Sequence, residues 1–231
     1  MILVDNYIGA ILCCVYCCLC WGSWANTQKM VTSKSWSFEL FYWDLTFGLF
    51  FTALLGALTL GSLGSEGRTF FEDLAVMDWN SMKYALLGGI VWNFGNIFLT
   101  AAIAVAGMSV GFPIGGGLAW IGGIIFNYLL ISLAGEVYPG NQTLLWIGVA
   151  VIVIAICICG KAYGKMSASQ ASTPKKGILL AIVAGLAIMF FYGLVAKSLN
   201  PQYVTGGTGT LTPYTGVFCF AAGVLITTPV F

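Results

Sequence analysis

Histidine is absent from this chain, and charge is nearly so: nine Lys and Arg with eight Asp and Glu make up 7 % of 231 residues, for a net charge of +1. Without His and with few acids, a hydrolytic or metal-assisted active site has little to draw on, and no enzymatic activity, cofactor or metal is expected. No G-x-x-x-x-G-K-[ST] stretch occurs, which excludes a built-in P-loop nucleotide engine. A water-soluble domain needs roughly a quarter of its residues charged. This chain falls far short and is not expected to be one. The N-terminus also lacks a basic n-region and a cleavage site, so its first apolar run reads as a retained span.

What the sequence does have is apolar length. Apolar residues make up 59 % of the chain and mean hydropathy is +0.94. They fall in runs of about 16 to 24 residues, enough to cross roughly 30 Å of hydrocarbon as helix. Backbone polar groups in lipid must bond within their own segment, which selects helices, and the alternating segments of a barrel are missing. Spans are predicted at 8–27, 38–60, 84–106, 110–133, 143–158 and 178–195, with a seventh from about Tyr214 that is still apolar at Phe231. The fold class is therefore an all-α integral membrane bundle of about seven spans. A helix that ends mid-membrane reads as a fragment of a longer protein.

Lysine placement orients the bundle. Alternate connections carry Lys29, Lys34, Lys161, Lys165, Lys175 and Lys176 on one side, against Arg68, Lys83 and Lys197 on the other with most of the acids. Positive charge stays in the cytoplasm, so the N-terminus is expected outside and the Lys161–Lys176 loop inside a cell or plasma membrane. The sequon Asn141-Gln142-Thr143 falls on the outer side and carries little weight. Cys13, Cys14, Cys17, Cys18 and Cys20 crowd the first span, with Cys157, Cys159 and Cys219 later. Buried Cys packs as a small hydrophobe, thiolates are costly in hydrocarbon, and no His accompanies them. Packing is the expected role.

The polar stretch 161–176 reads as a flexible cytoplasmic linker between residues 1–160, a first five-helix repeat, and 177–231, an incomplete second one. Gly9-Ala-Ile-Leu and Lys29 recur as Gly177-Ile-Leu-Leu and Lys197 at one offset of 168. An odd number of helices per repeat forces the next to insert upside down, as in many secondary transporters.

Polar residues inside spans are functional candidates by default. Asp44 lies two turns into the second span and needs a partner, a proton or a water-filled cavity; Glu39 at the first turn is explained by the helix dipole. Trp21 and Trp24 share a helix face beside Ser23, Asn26, Thr27 and Gln28, which fits either an interfacial belt or a cavity mouth that stacks a ring and binds its hydroxyls or carbonyls. Asn93 and Asn96 lie on one face of the third span beside Trp92. In the fourth, Pro113 with Gly115, Gly116 and Gly117 predicts an interrupted or bending helix, with Trp120 as a cavity wall, although close helix packing accounts for such glycines too.

The stretches WGSWANTQK, FELFYWD, GGIVWNFGN and AGMSVGFPIGGGLAWIGGIIFNY resemble the drug/metabolite transporter superfamily (EamA-like), in the branch that holds glucose/ribose porters, the rhamnose symporter and ureide permeases. The resemblance covers roughly the first five spans. It implies ten helices in two inverted repeats around a central cavity, and secondary transport often coupled to protons. Trp21, Trp24, Asn26, Asp44, Asn93, Asn96 and the Gly115–Gly117 bend would then face that cavity. The leading expectation is a proton-coupled permease for a sugar-like neutral polar solute, with Asp44 handling the proton. The alternatives are a permease for ureides or purines, and a membrane subunit that transports nothing. Expected partners are the lipid bilayer, the small polar solute and protons; no nucleic acid is expected, and a homodimer stays open.

Overall fold

The structure is a computed structural model, and it describes residues 1–4, 6–31, 36–138, 140–167, 175–200 and 209–230. Among these are nine α-helices and one short 3-10 turn: α1 (Tyr7–Val31), α2 (Phe38–Leu58), α3 (Phe70–Val76), α4 (Trp79–Ala106), α5 (Met108–Leu133), α6 (Gln142–Ser167), α7 (Lys175–Ile188), α8 (Phe191–Ser198) and α9 (Pro213–Thr227). Seven stretches are long and apolar enough to cross a membrane, α7 and α8 counting as one. They coincide with the runs read from the sequence, and the protein is a helical membrane bundle.

Two compact units emerge, Met1–Leu86 with Lys197–Pro229, and Leu87–Ala196 with Val230–Phe231. Unit 1 holds α1, α2, α3, the first turns of α4, and α9. Here α2 packs along α9, and α3 lies on α9 as well. Little of α1 is covered: only Ala25 and Gln28 are buried, and its cysteines are exposed. An open apolar groove of about 510 Å³ runs along α1, lined by Tyr7, Ile11, Cys14 and Cys18 among others.

The connection from α2 to α4 is the polar part of unit 1. Thr69 caps α3 reciprocally: its Oγ1 accepts from the Glu72 N–H at 3.4 Å, and its own N–H donates to Glu72 Oε2 at 2.8 Å. Those bonds hold the exposed Glu72 carboxyl below its ordinary pKa, the Thr69 backbone N–H contributing most. Asp78 opens α4 by accepting the Ser81 N–H at 2.5 Å, which lowers its pKa likewise. Between them, Asp73 is fully buried and pairs with Arg68 at 2.6 Å. Its second oxygen accepts the Thr212 N–H at 2.8 Å, while Arg68 Nη2 reaches the Thr210 carbonyl at 2.6 Å. Each ion thus has further hydrogen bonds, the condition under which a buried charge is tolerated.

Unit 2 is built by close approach. α5 packs most extensively on α7, and on α6 beside it. A side chain at Gly115 would meet Leu99 Cδ1 at 2.7 Å and the Ala181 carbonyl at 3.0 Å; one at Gly185 would meet the Gly115 carbonyl at 2.7 Å. Lipid tails are as apolar as Leu, so helices associate in a membrane through contacts of this kind. α4 and α5 are joined by Gly107 alone, at φ +83°, a value that glycine adopts without the Cβ clash.

Three expectations are corrected. The fourth span is one continuous helix from Met108 to Leu133 with Pro113 inside it, so of the interruption or bend expected at Pro113, Gly115, Gly116 and Gly117 the interruption is not there. Gly115 and Gly117 are occupied by packing instead, Gly117 against Ile156. The interruption falls in the sixth span, where α7 ends at Ile188 and α8 starts at Phe191. No Pro or Gly stands there; Met189 sits over Gly122, where an added Cβ would come within 2.8 Å of its Sδ. Finally, α6 continues to Ser167, so the first residues of the expected linker are helical; 168–174 lie outside the described residues, as does the glycine loop at 201–208.

Candidate functional site

The polar residues of α4 form the best-defined site. Asn prefers caps and turns, because its amide competes with the backbone for hydrogen bonds. Two of them halfway along a 28-residue helix therefore need surroundings that hold them. Asn93 and Asn96 are 0 % and 1 % exposed. Trp92, four residues before Asn96, and Thr100, four after it, are buried too, so the four make one stripe at helical spacing. The Thr100 hydroxyl donates back to the Asn96 carbonyl at 2.8 Å. Phe94, Leu87 and Val105 lie on another side of the helix and are exposed. Gly95 faces the break in the sixth span: an added Cβ would lie 2.5 Å from Ile188 Cγ1 and 2.9 Å from the Ile188 nitrogen.

Trp120, expected as a wall beside these amides, is 51 % exposed. Its neighbour Ala119 takes the buried position, so α5 turns Trp120 away from the packed interior of unit 2. Thr100 was missing from the sequence reading, though its spacing of seven from Asn93 and four from Asn96 marks the same face.

In unit 1 the candidates separate. Trp24 is half-buried and Gln28, one turn on, is 2 % exposed, whereas Trp21 and Asn26 are exposed. The polar residue that α1 buries is therefore Gln28 and not Asn26, since Gln28 shares the Trp24 face and Asn26 does not. Asp44 is exposed, and Oδ2 accepts a hydrogen bond from Trp36 Nε1 at 3.1 Å. The partner thus comes from just before the Ser37 N-cap of α2, not from a neighbouring helix.

These side chains can offer amide donors and acceptors, an indole face and one carboxylate. Nothing among the described residues groups three metal-ligating side chains. Amides and indoles are groups that hold a neutral polar molecule by hydrogen bonds and stacking.

Comparison with known proteins takes the reading further. The family model described as ureide permease matches residues 41–176, from the start of α2 through α6, including Asp44, all of α4 and all of α5. The chain belongs to the ureide permease family. Ureide permease 1 of Arabidopsis thaliana is 31 % identical over 176 residues, covering 75 % of this chain and 43 % of that protein. Ureide permease 2 of the same plant is 29 % identical over 173 residues, 74 % of this chain and 42 % of that one. A probable ureide permease A3 of Vigna unguiculata is 32 % identical over 111 residues, 47 % of this chain and 30 % of its own length. The chain thus spans under half of these relatives. No solved structure matches. Family membership places the ureide alternative ahead of the sugar porters expected first.

Proposed function

We propose that this protein is a secondary-active membrane permease for small polar nitrogenous solutes of the ureide or purine type. The observation that carries the reading is the Asn93 and Asn96 pair, buried halfway along α4 inside the segment that matches ureide permeases. Amides give a neutral ureide both the donors and the acceptors it needs, and they place no unpaired charge in the bilayer. The order of the two solute readings from the sequence is thereby reversed, and the relatives' names support the change. In the same reading, 1–160 is the first five-helix repeat, 177–231 opens an inverted second one, the N-terminus lies outside and the connection 161–176 lies in the cytoplasm. Trp21, Trp24 and Asn26 belong to the mouth of the pathway, and Asp44 to the proton side of the coupling.

Uptake of a labelled ureide into vesicles carrying the complete gene product tests this, with unlabelled purines and sugars as competitors. We expect ureide uptake that needs an inward pH gradient, is blocked by purines rather than sugars, and falls at least tenfold in Asp44→Asn. Sugar uptake with no ureide uptake by folded protein would sink the solute reading. Undiminished, gradient-driven uptake by Asp44→Asn would remove Asp44 from the coupling.

A further inference from the structure

The two asparagines of α4 are not equivalent. Asn93 has an interaction partner within the chain. Asn96 is equally buried, yet neither its Oδ1 nor its Nδ2 has a hydrogen-bond partner among the described residues. A buried amide in that condition is disfavoured, and native proteins keep few of them. Nor does the helix need this side chain, for the bond that closes on the residue goes from the Thr100 hydroxyl to the backbone carbonyl. Both polar atoms are thus kept out of solvent and uncommitted.

The surroundings in unit 2 are specific. One residue away, Gly95 lies against Ile188, where α7 stops, so the free amide and the helix break stand at one level. Trp92 precedes Asn96 by one turn on the same buried stripe. A primary carboxamide holds a carbonyl and an N–H side by side on one planar edge. That edge is complementary to an O=C–N–H group held cis in a ring, with two antiparallel hydrogen bonds. Cyclic ureides, lactams and purinones carry this edge. A sugar offers separate, rotatable hydroxyls instead of a donor and an acceptor fixed on one planar edge.

We infer that Asn96 is the specificity-determining residue of the pathway, reading the cis-amide edge of a planar nitrogenous ring through two hydrogen bonds. This rests on the ureide reading above.

The probes are labelled hydantoin and 1,3-dimethylhydantoin, which has no N–H, in vesicles carrying the complete gene product. Wild type should take up hydantoin and discriminate against the dimethyl compound by about 100-fold, roughly tenfold for each hydrogen bond lost or left unmade. Asn96→Leu should lose hydantoin uptake by a similar factor and with it the discrimination, yet melt no lower than wild type, since Leu leaves no amide unpaired. Equal uptake of both compounds by wild type would overturn the inference and leave the ureide reading standing, and it needs no variant to fold. Unchanged hydantoin uptake by Asn96→Leu would do the same. Wild-type protein that imports sugar and ignores hydantoin would remove the ureide reading, and this inference with it.

Discussion

The α2–α4 connection of unit 1 takes a carboxylate out of water and gives each oxygen a donor. At the α5–α7 contact of unit 2, two backbones meet across Gly115 and Gly185 with no charge between them. The first device depends on partners: Asp73 is tolerable only while Arg68 and the Thr212 N–H remain. The second depends on volume alone, because dispersion between touching helices is lost or turned to repulsion by a single added group. The difference teaches where each contact is vulnerable. The α2–α4 connection breaks by deletion and the α5–α7 contact by addition.

The sharpest way to break that contrast is Asp73→Ala. It strands the Arg68 guanidinium, 16 % exposed, and the Thr212 N–H, and should cost about 3 kcal/mol. Thermal unfolding in detergent checks this; a loss no greater than that of a surface alanine would show that the pair is not holding the connection. Next comes Gly115→Leu, whose side chain has no room beside Leu99 and Ala181 and should cost about 2 kcal/mol. Gly116→Leu is its control, since the nearest atom to an added Cβ there is on Phe112, 3.9 Å away. Equal losses at the two positions would remove the volume argument.

The smallest effect expected is with pH. Glu72 and Asp78 have folded pKa values below their ordinary ones, so their contribution is complete above the ordinary carboxylate range and fades as pH falls through the lowered values. Both stand in water, and the loss should be confined to the starts of α3 and α4. Protection of the Glu72 and Ser81 amides, their exchange taken relative to an unstructured peptide at the same pH, should fall as the pH drops below about 4, and Glu72→Gln should remove the effect at residue 72 while sparing Ser81.

The spans were legible because about 30 Å of hydrocarbon demands an unmistakable length of apolar residues. The stripe from Asn93 to Asn96 was legible as well, since polar residues stand out against such a background. α3 was not, because its seven residues are too few to show a period and its capping box stands in a loop. The break at Met189 and Phe190 had no local sign, and local rules pointed to Pro113 and the glycines after it. There α5 stayed helical through Pro113 and its glycines, and the sixth span broke where Met189 packs over Gly122. Which of Asn26 and Gln28 is buried also depended on packing that the sequence of α1 alone does not contain.

Gly107 remains, a single residue between two long helices. With no hydrophilic turn to release between them, α4 and α5 have to enter the bilayer together, as one hairpin delivered in one step of membrane insertion. A ribosome paused after α4 would hold a half-made unit whose polar stripe faces lipid until α5 emerges. Reporter tags or protease sites placed at Gly107 should therefore disturb biogenesis itself, whereas the same insertions at the wider connection between α2 and α4 should be read as topology.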